Sequence, residues 1–220
     1  MGEPEPVPRY VQGAKFLIIR AGPTVKSSMI GFLPAGTLVA VSPTAVEERI
    51  GDLQGHWNHL PAVDGYVFGH FLGEAAPARH PVLELTAYSG DNAGGGKTTL
   101  RFEKNRVEMT EGTWIHCCSQ PPPGKKTIGS YRYEPGMLVL DFDGRLSYLK
   151  WHPTLGGYYW KSPDGSGSLE GFKKNGQILE LAGRELRWKV DGCGLHGYDP
   201  NNPDPDPHYA DYSIGFFCLR

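Results

Sequence analysis

No stretch of the 220-residue chain is long and apolar enough for a membrane-spanning helix, which needs about 18 apolar residues in a row. Stretches such as Phe16-Leu17-Ile18-Ile19 are strand length, so no transmembrane segment is expected. A cluster of positive charge is also missing. There are 22 Lys and Arg against 24 Asp and Glu, divided as six and seven up to residue 80 and 16 and 17 beyond it, one net negative charge in each part. Proteins that neutralise phosphates carry a local Lys/Arg excess, so nucleic acid is not an expected partner. Helix signals are almost absent: only 43–53 holds a few helix formers, and Ile50-Gly51 closes it, which predicts a loop with at most one turn. A secretory leader is lacking too, because Met1-Gly2-Glu3-Pro4-Glu5-Pro6-Val7-Pro8 is acidic and proline-rich where a leader is basic and then apolar. The expectation is a cytosolic protein, or an exported one whose leader has been cut away. A Glu-Pro tether suits the gap between a lipid anchor and a first domain, and equally a frayed terminus.

What the chain does have is 30 glycines and 19 prolines, well above ordinary usage, beside 11% aromatic and 39% hydrophobic residues. The apolar and aromatic content argues against disorder. Many turns joining short strands remain, which predicts an all-β protein. The strand signals fall into two groups on either side of 73–81, a small-residue and proline stretch expected to be a linker or surface crossing. In the second group, 82–220, apolar residues alternate at period two. Leu138, Leu140 and Phe142 share a face and lead to Asp143-Gly144, the pair a type I′ hairpin turn requires, after which Leu146 and Tyr148 return. Asn175-Gly176 marks a similar turn, and Leu186, Trp188 and Val190 alternate with charged neighbours. Six to nine antiparallel strands are expected there, closed as a larger barrel or sandwich.

In the first group, Arg20-Ala21-Gly22-Pro23 ends one strand, Leu33-Pro34-Ala35-Gly36-Thr37 ends another, and Trp57-Asn58-His59-Leu60 precedes Gly65-Tyr66-Val67 and Phe71-Leu72. Five short motifs in this order make residues 10–73 resemble the bacterial SH3-like domain family. Leu60, Tyr66 and Phe71 stand where the family has Val, Trp and Tyr, and the 43–55 insertion is longer than usual. The resemblance implies a small barrel, for whose interior alternation selects Leu17, Ile19, Leu38 and Leu60. It also implies an aromatic groove for peptides or cell-wall fragments, to which Trp57, Tyr66 and Phe68 are assigned, with Tyr10 nearby. Aromatics give large contact area at small entropic cost. The opposing expectation is that Trp57 and Tyr66 only pack against the barrel rim or the second domain.

Four cysteines, Cys117, Cys118, Cys193 and Cys218, allow three connectivities if two bridges form. Neighbours on a strand face opposite ways, so the expectation is a bridge from the Cys117/Cys118 pair to Cys193 or Cys218, and with it export. Four buried thiols are the cytosolic alternative.

Other motifs carry little chemistry. Gly94-Gly95-Gly96-Lys97-Thr98 has Asp91 where a phosphate loop needs Gly, and strand spacing follows where a helix is required. His116 beside Cys117 and Cys118 lacks the helix N-terminus that activates a thiol nucleophile. The carboxylates spaced along 199–208 lack the central Gly and closing Glu of a calcium loop and read as a rigid surface loop. No metal, cofactor or catalytic residue is therefore expected. Gly112-Thr113-Trp114 and Ala210-Asp211-Tyr212 look faintly like the two signatures of lipocalin-type barrels, which carry small apolar ligands. The leading expectation is a non-catalytic envelope protein that binds a peptide or peptidoglycan fragment. The alternatives are a lipocalin-like carrier, or a cell-wall enzyme built on dispersed carboxylates such as Asp141, Asp143 and Glu170.

Overall fold

The computed structural model describes residues 5–78, 81–90, 94–104, 106–115, 124–134, 136–153, 155–161, 178–181, 184–191, 193–198 and 212–219. Among them the protein is all-β, and its only helical element is the single 3-10 turn Gly69–Phe71. No helix among the described residues is long and apolar enough to cross a membrane. The strands begin with β1 (Val7–Val11), β2 (Phe16–Arg20), β3 (Met29–Pro34), β4 (Leu38–Ile50), β5 (Leu53–Leu60), β6 (Gly65–Phe68) and β7 (Leu72–Gly73). They continue with β8 (Leu83–Gly90), β9 (Gly94–Glu103), β10 (Arg106–Ile115), β11 (Lys125–Glu134), β12 (Met137–Phe142) and β13 (Arg145–His152). The last are β14 (Gly157–Trp160), β15 (Ile178–Leu181), β16 (Arg184–Asp191), β17 (Gly194–Tyr198), β18 (Tyr212–Gly215) and β19 (Phe217–Cys218). One sheet has the order β3-β2-β6-β5-β4-β1-β7, and the other runs β15-β16-β17-β18-β8-β9-β10-β11-β12-β13-β14-β19.

By compactness the chain divides into two units that are not contiguous in sequence. The first takes in Met1–Glu84 together with Arg101–Val107 and Gly129–Leu146, and the second takes in Leu85–Leu100, Glu108–Ile128 and Ser147–Arg220. The core of the first unit is aliphatic: Val11, Leu17, Ile19, Leu33, Val39, Val41, Leu60 and Val67, with Tyr133 packed against it. Tyr131, two residues earlier on the same face of β11, adds a polar tie. Its hydroxyl lies 3.2 Å from that of Thr37 and donates to the Lys104 carbonyl at 2.9 Å, while Thr37 donates to the Pro34 carbonyl at 2.6 Å. Two hydroxyl protons serve three close approaches, so the chain is shared rather than fully satisfied. The Tyr131 ring meets Phe102 edge-on at 5.0 Å, and burial pushes its phenol up to about 12 against the opposing effect of the neighbouring Thr37 hydroxyl.

Two sequence expectations are corrected here. Leu38 is 52% exposed, and Val39 and Val41 fill the interior in its place. In Leu38-Val39-Ala40-Val41 both faces are apolar, so alternation cannot choose between them, and a slip of one residue turns every side chain over. Residues 43–53 form no loop with a helical turn. They are strand, paired as Glu47↔His56, Glu48↔Gly55, Arg49↔Gln54 and Ile50↔Leu53 around Gly51, whose φ of 61° closes the hairpin. The Asp143-Gly144 hairpin is as expected, with φ of 53° and 82° at the two turn residues. Leu138, Leu140 and Phe142 are buried, as is Val139 on the opposite face, whereas Leu146 beyond the turn is exposed.

Candidate functional site

Register decides which residues can meet. On β5 and β6, Trp57 faces Phe68 and His59 faces Tyr66, while the intervening pairs Asn58↔Val67 and Leu60↔Gly65 include the core residues Leu60 and Val67. Side chains alternate across a strand, so Trp57, His59, Tyr66 and Phe68 all lie on the face turned away from the barrel interior. Arg20 of β2 pairs with Tyr66, and Ser42 of β4 pairs with His59, which extends the row across four strands. Tyr10 shares the outer face but pairs with Leu38, four residues, or about 13 Å, along β4 from Ser42 and one strand further over. The structure thus brings together three of the four aromatics expected in a groove and leaves Tyr10 at the far end of the sheet.

The three differ in access. Trp57 is 1% exposed and Phe68 3%, with ring centroids 5.6 Å apart. Gly55, two residues before Trp57 and on the same face, leaves room for this, since a Cβ there would lie 3.0 Å from the Phe68 ring. Trp57 and Phe68 are therefore packing residues, which corrects their assignment as an open groove. Tyr66 and His59 remain half-buried, their rings in tilted contact at 5.1 Å with 39° between planes, and His59 Nε2 lies 3.2 Å from the exposed Asp64 carboxylate.

One carboxylate organises this end of the face. Glu48 Oε2 accepts from the Trp57 indole at 2.8 Å and from the Val25 amide at 3.0 Å, and Oε1 accepts from the Thr24 hydroxyl at 3.0 Å. Burial acts to raise the Glu48 carboxyl, but these three hydrogen bonds and the Arg20 charge outweigh it and hold the group below its ordinary value of 4.5. Because the folded protein prefers the ionised form, the contribution of Glu48 to stability is present above the ordinary carboxyl value. It is lost as pH falls through the lowered folded value. The expected result is that Glu48→Gln is less stable than wild type at about pH 6 and that the gap narrows by about pH 3, read from urea midpoints at each pH. A gap independent of pH overturns the assignment.

Other sequence candidates lie elsewhere. Asp141 is a turn-builder, accepting the Gly144 amide at 2.7 Å, and Asp143 is a turn residue with positive φ. The phosphate-loop pattern at Gly94 is the start of β9, with β10 and no helix behind it. Cys117, Cys118, His116, Glu170 and the 199–208 segment lie outside the described residues. Among the described residues no group of three or more His, Cys, Asp or Glu side chains is placed to hold a metal ion. The disulfide observed joins Cys193 to Cys218, with Cα atoms 5.6 Å apart. This replaces the expected bridge to the Cys117/Cys118 pair. Pairing is decided by which strand ends meet, and β19 brings Cys218 next to Cys193 through the Phe216 amide, which donates to the Cys193 carbonyl at 2.9 Å.

Sequence reasoning missed Glu48 and the Thr24-Val25 turn. Glutamate in an apparent loop carries no signal, and its partners lie nine and more than twenty residues away. No protein-family model matches the chain, no curated protein matches it, and no solved structure matches it.

Proposed function

We propose that the protein is a non-catalytic binding protein of a bacterial envelope, with an SH3-like module at residues 10–73 that holds an extended peptide or a cell-wall fragment. The observation that carries this is the Tyr66–His59 ring pair, in tilted contact at 5.1 Å, half-buried on the outer sheet face and flanked by Arg20 and Asp64. A rigid aromatic platform with polar groups at its edge favours an extended ligand laid across it. The five ordered sequence motifs support the module, and the Cys193–Cys218 bridge supports export, since disulfides persist in oxidising compartments.

With a net charge near zero, affinity has to come from aromatic surface rather than long-range steering. Tyr66→Ala is the informative change, because Tyr66 is accessible where Trp57 is not. Peptidoglycan pull-down and a peptide array supply the ligand, and Tyr66→Ala is expected to weaken binding by about tenfold or more while leaving the circular dichroism spectrum unchanged. Unchanged affinity in the folded variant removes the platform. No binding of wild type to either class removes the binding function and leaves the module a spacer.

A further inference from the structure

We propose that the donors gathered around Glu48 form a carboxylate receptor that the chain itself occupies, and that Glu48 exchanges there with the carboxylate of a bound peptide. The proposal rests on the peptide-binding function above and names the chemical group that this face selects. The donor set suits a carboxylate: one oxygen takes the Thr24 hydroxyl and the other takes the Val25 amide and the Trp57 indole, with the Arg20 guanidinium supplying positive field. None of these donors needs Glu48 to stay in place. Trp57 is fixed by burial against Phe68. The Thr24-Val25 turn is closed by Ala21 N–H to Ser28 O at 2.9 Å, Ser27 N–H to Thr24 O at 3.1 Å and Arg20 Nη1 to Ser27 O at 2.7 Å.

The occupant is less firmly held than its receptor. Glu48 is half-buried on the β4–β5 hairpin, beyond the register shift between Pro43 and Glu47, so its side chain can swing out without opening the core. Arg20 donates to the Ser27 carbonyl of the Thr24-Val25 turn and also pairs with Tyr66 across β2 and β6. A peptide lying on Tyr66 and His59 can therefore place a terminal or side-chain carboxylate on the same donors. An internal occupant competes at high effective concentration and lowers the apparent affinity of any ligand.

The test uses the full chain and nitrogen-15 signals of the Trp57 indole, assigned with Trp57→Phe, and of the Val25 amide. In Glu48→Ala, acetate is expected to shift both signals saturably toward their wild-type positions, whereas acetamide and chloride at equal concentration do not, and wild type is silent. A chloride response equal to acetate, or none to acetate, overturns the receptor. If Glu48→Ala does not fold, Glu48→Gln keeps the volume and removes the charge. Both signals are then expected to move from their wild-type positions, and unmoved signals overturn the receptor. A peptide from the array is then compared with a free and an amidated C-terminus. The free acid is expected to bind Glu48→Ala about tenfold tighter than wild type, with no such gain for the amide. A solubilised peptidoglycan fragment run beside it distinguishes a free peptide end from a wall-linked one as the carboxylate source. An acetate response without this gain overturns the exchange. Peptide binding without any acetate response overturns the receptor while leaving the peptide-binding function intact.

Discussion

Trp57→Ala is expected to lower the free energy of unfolding by about 3–5 kcal/mol, the usual cost of truncating a fully buried large aromatic. Three losses combine in that figure. The indole leaves a cavity beside Phe68, whose ring is 5.6 Å away and keeps only the more distant His70 and Phe71 rings, each at 6.3 Å, among the ring contacts of the described residues. Glu48 loses the shortest of its three hydrogen bonds, 2.8 Å against 3.0 Å for the other two. The Thr24-Val25 turn loses rigidity in its tie to the hairpin, because the Glu48 carboxylate it bonds is no longer fixed from the strand side. Trp57→Phe separates these contributions, because it restores most of the apolar volume without the N–H, and it is expected to recover more than half of the lost stability. Denaturant midpoints followed by circular dichroism measure both. A change within about 1 kcal/mol for Trp57→Ala is what an exposed ligand-binding aromatic shows, and it would contradict the burial.

The same residue shows what the sequence could and could not display. The grouping of Trp57, Tyr66 and Phe68 comes from the family resemblance, and the β5–β6 register places the three on one face. Which of them is buried was not legible, since the partners of the Trp57 indole, Phe68 across the β5–β6 pair and the Glu48 carboxylate nine residues upstream, are set by the fold. Turn chemistry was the most readable layer: Asp143-Gly144 adopts the positive φ pair its composition requires. Core parity was readable in β2, where Leu17 and Ile19 are buried, and unreadable in β4, where Leu38-Val39-Ala40-Val41 offers apolar residues on both faces. The β4–β5 hairpin was misread for the opposite reason. Its outer residues are largely polar, half-buried at Thr44, Glu48 and Ile50 and exposed at Ala45, Glu47 and Arg49, so no apolar period stands out and cross-strand pairing makes it a strand. The inclusion of Arg101–Val107 and Gly129–Leu146 in the first unit had no local signal at all. It depends on Tyr131 and Tyr133 meeting Thr37 and the aliphatic core, contacts separated by some ninety residues of chain.

Removal of the Cys193–Cys218 bridge is expected to destabilise the protein by about 3–4 kcal/mol, the chain-entropy value for a closed loop of this size, since the two residues are 25 apart. The bridge sits where several other interactions already set the geometry. Cys218 pairs with Gly157 and Phe217 with Tyr158 between β14 and β19, Phe216 and Phe217 are buried, and Trp160 meets Phe217 edge-on at 5.6 Å. The native arrangement is therefore expected to survive the double variant Cys193→Ser, Cys218→Ser, with the loss arising in the unfolded chain. Near-ultraviolet dichroism should be nearly unchanged while the denaturant midpoint falls, and the reduced wild type should match the double variant. Proteolytic mapping of the denatured, unreduced protein is expected to recover a peptide pair linked through Cys193 and Cys218, leaving at most the two thiols of Cys117 and Cys118 to titrate. Four reactive thiols, or a link from Cys193 to Cys117 or Cys118, would overturn the pairing. A midpoint that does not move on reduction would show that the Phe216 and Phe217 packing alone holds β19 in place.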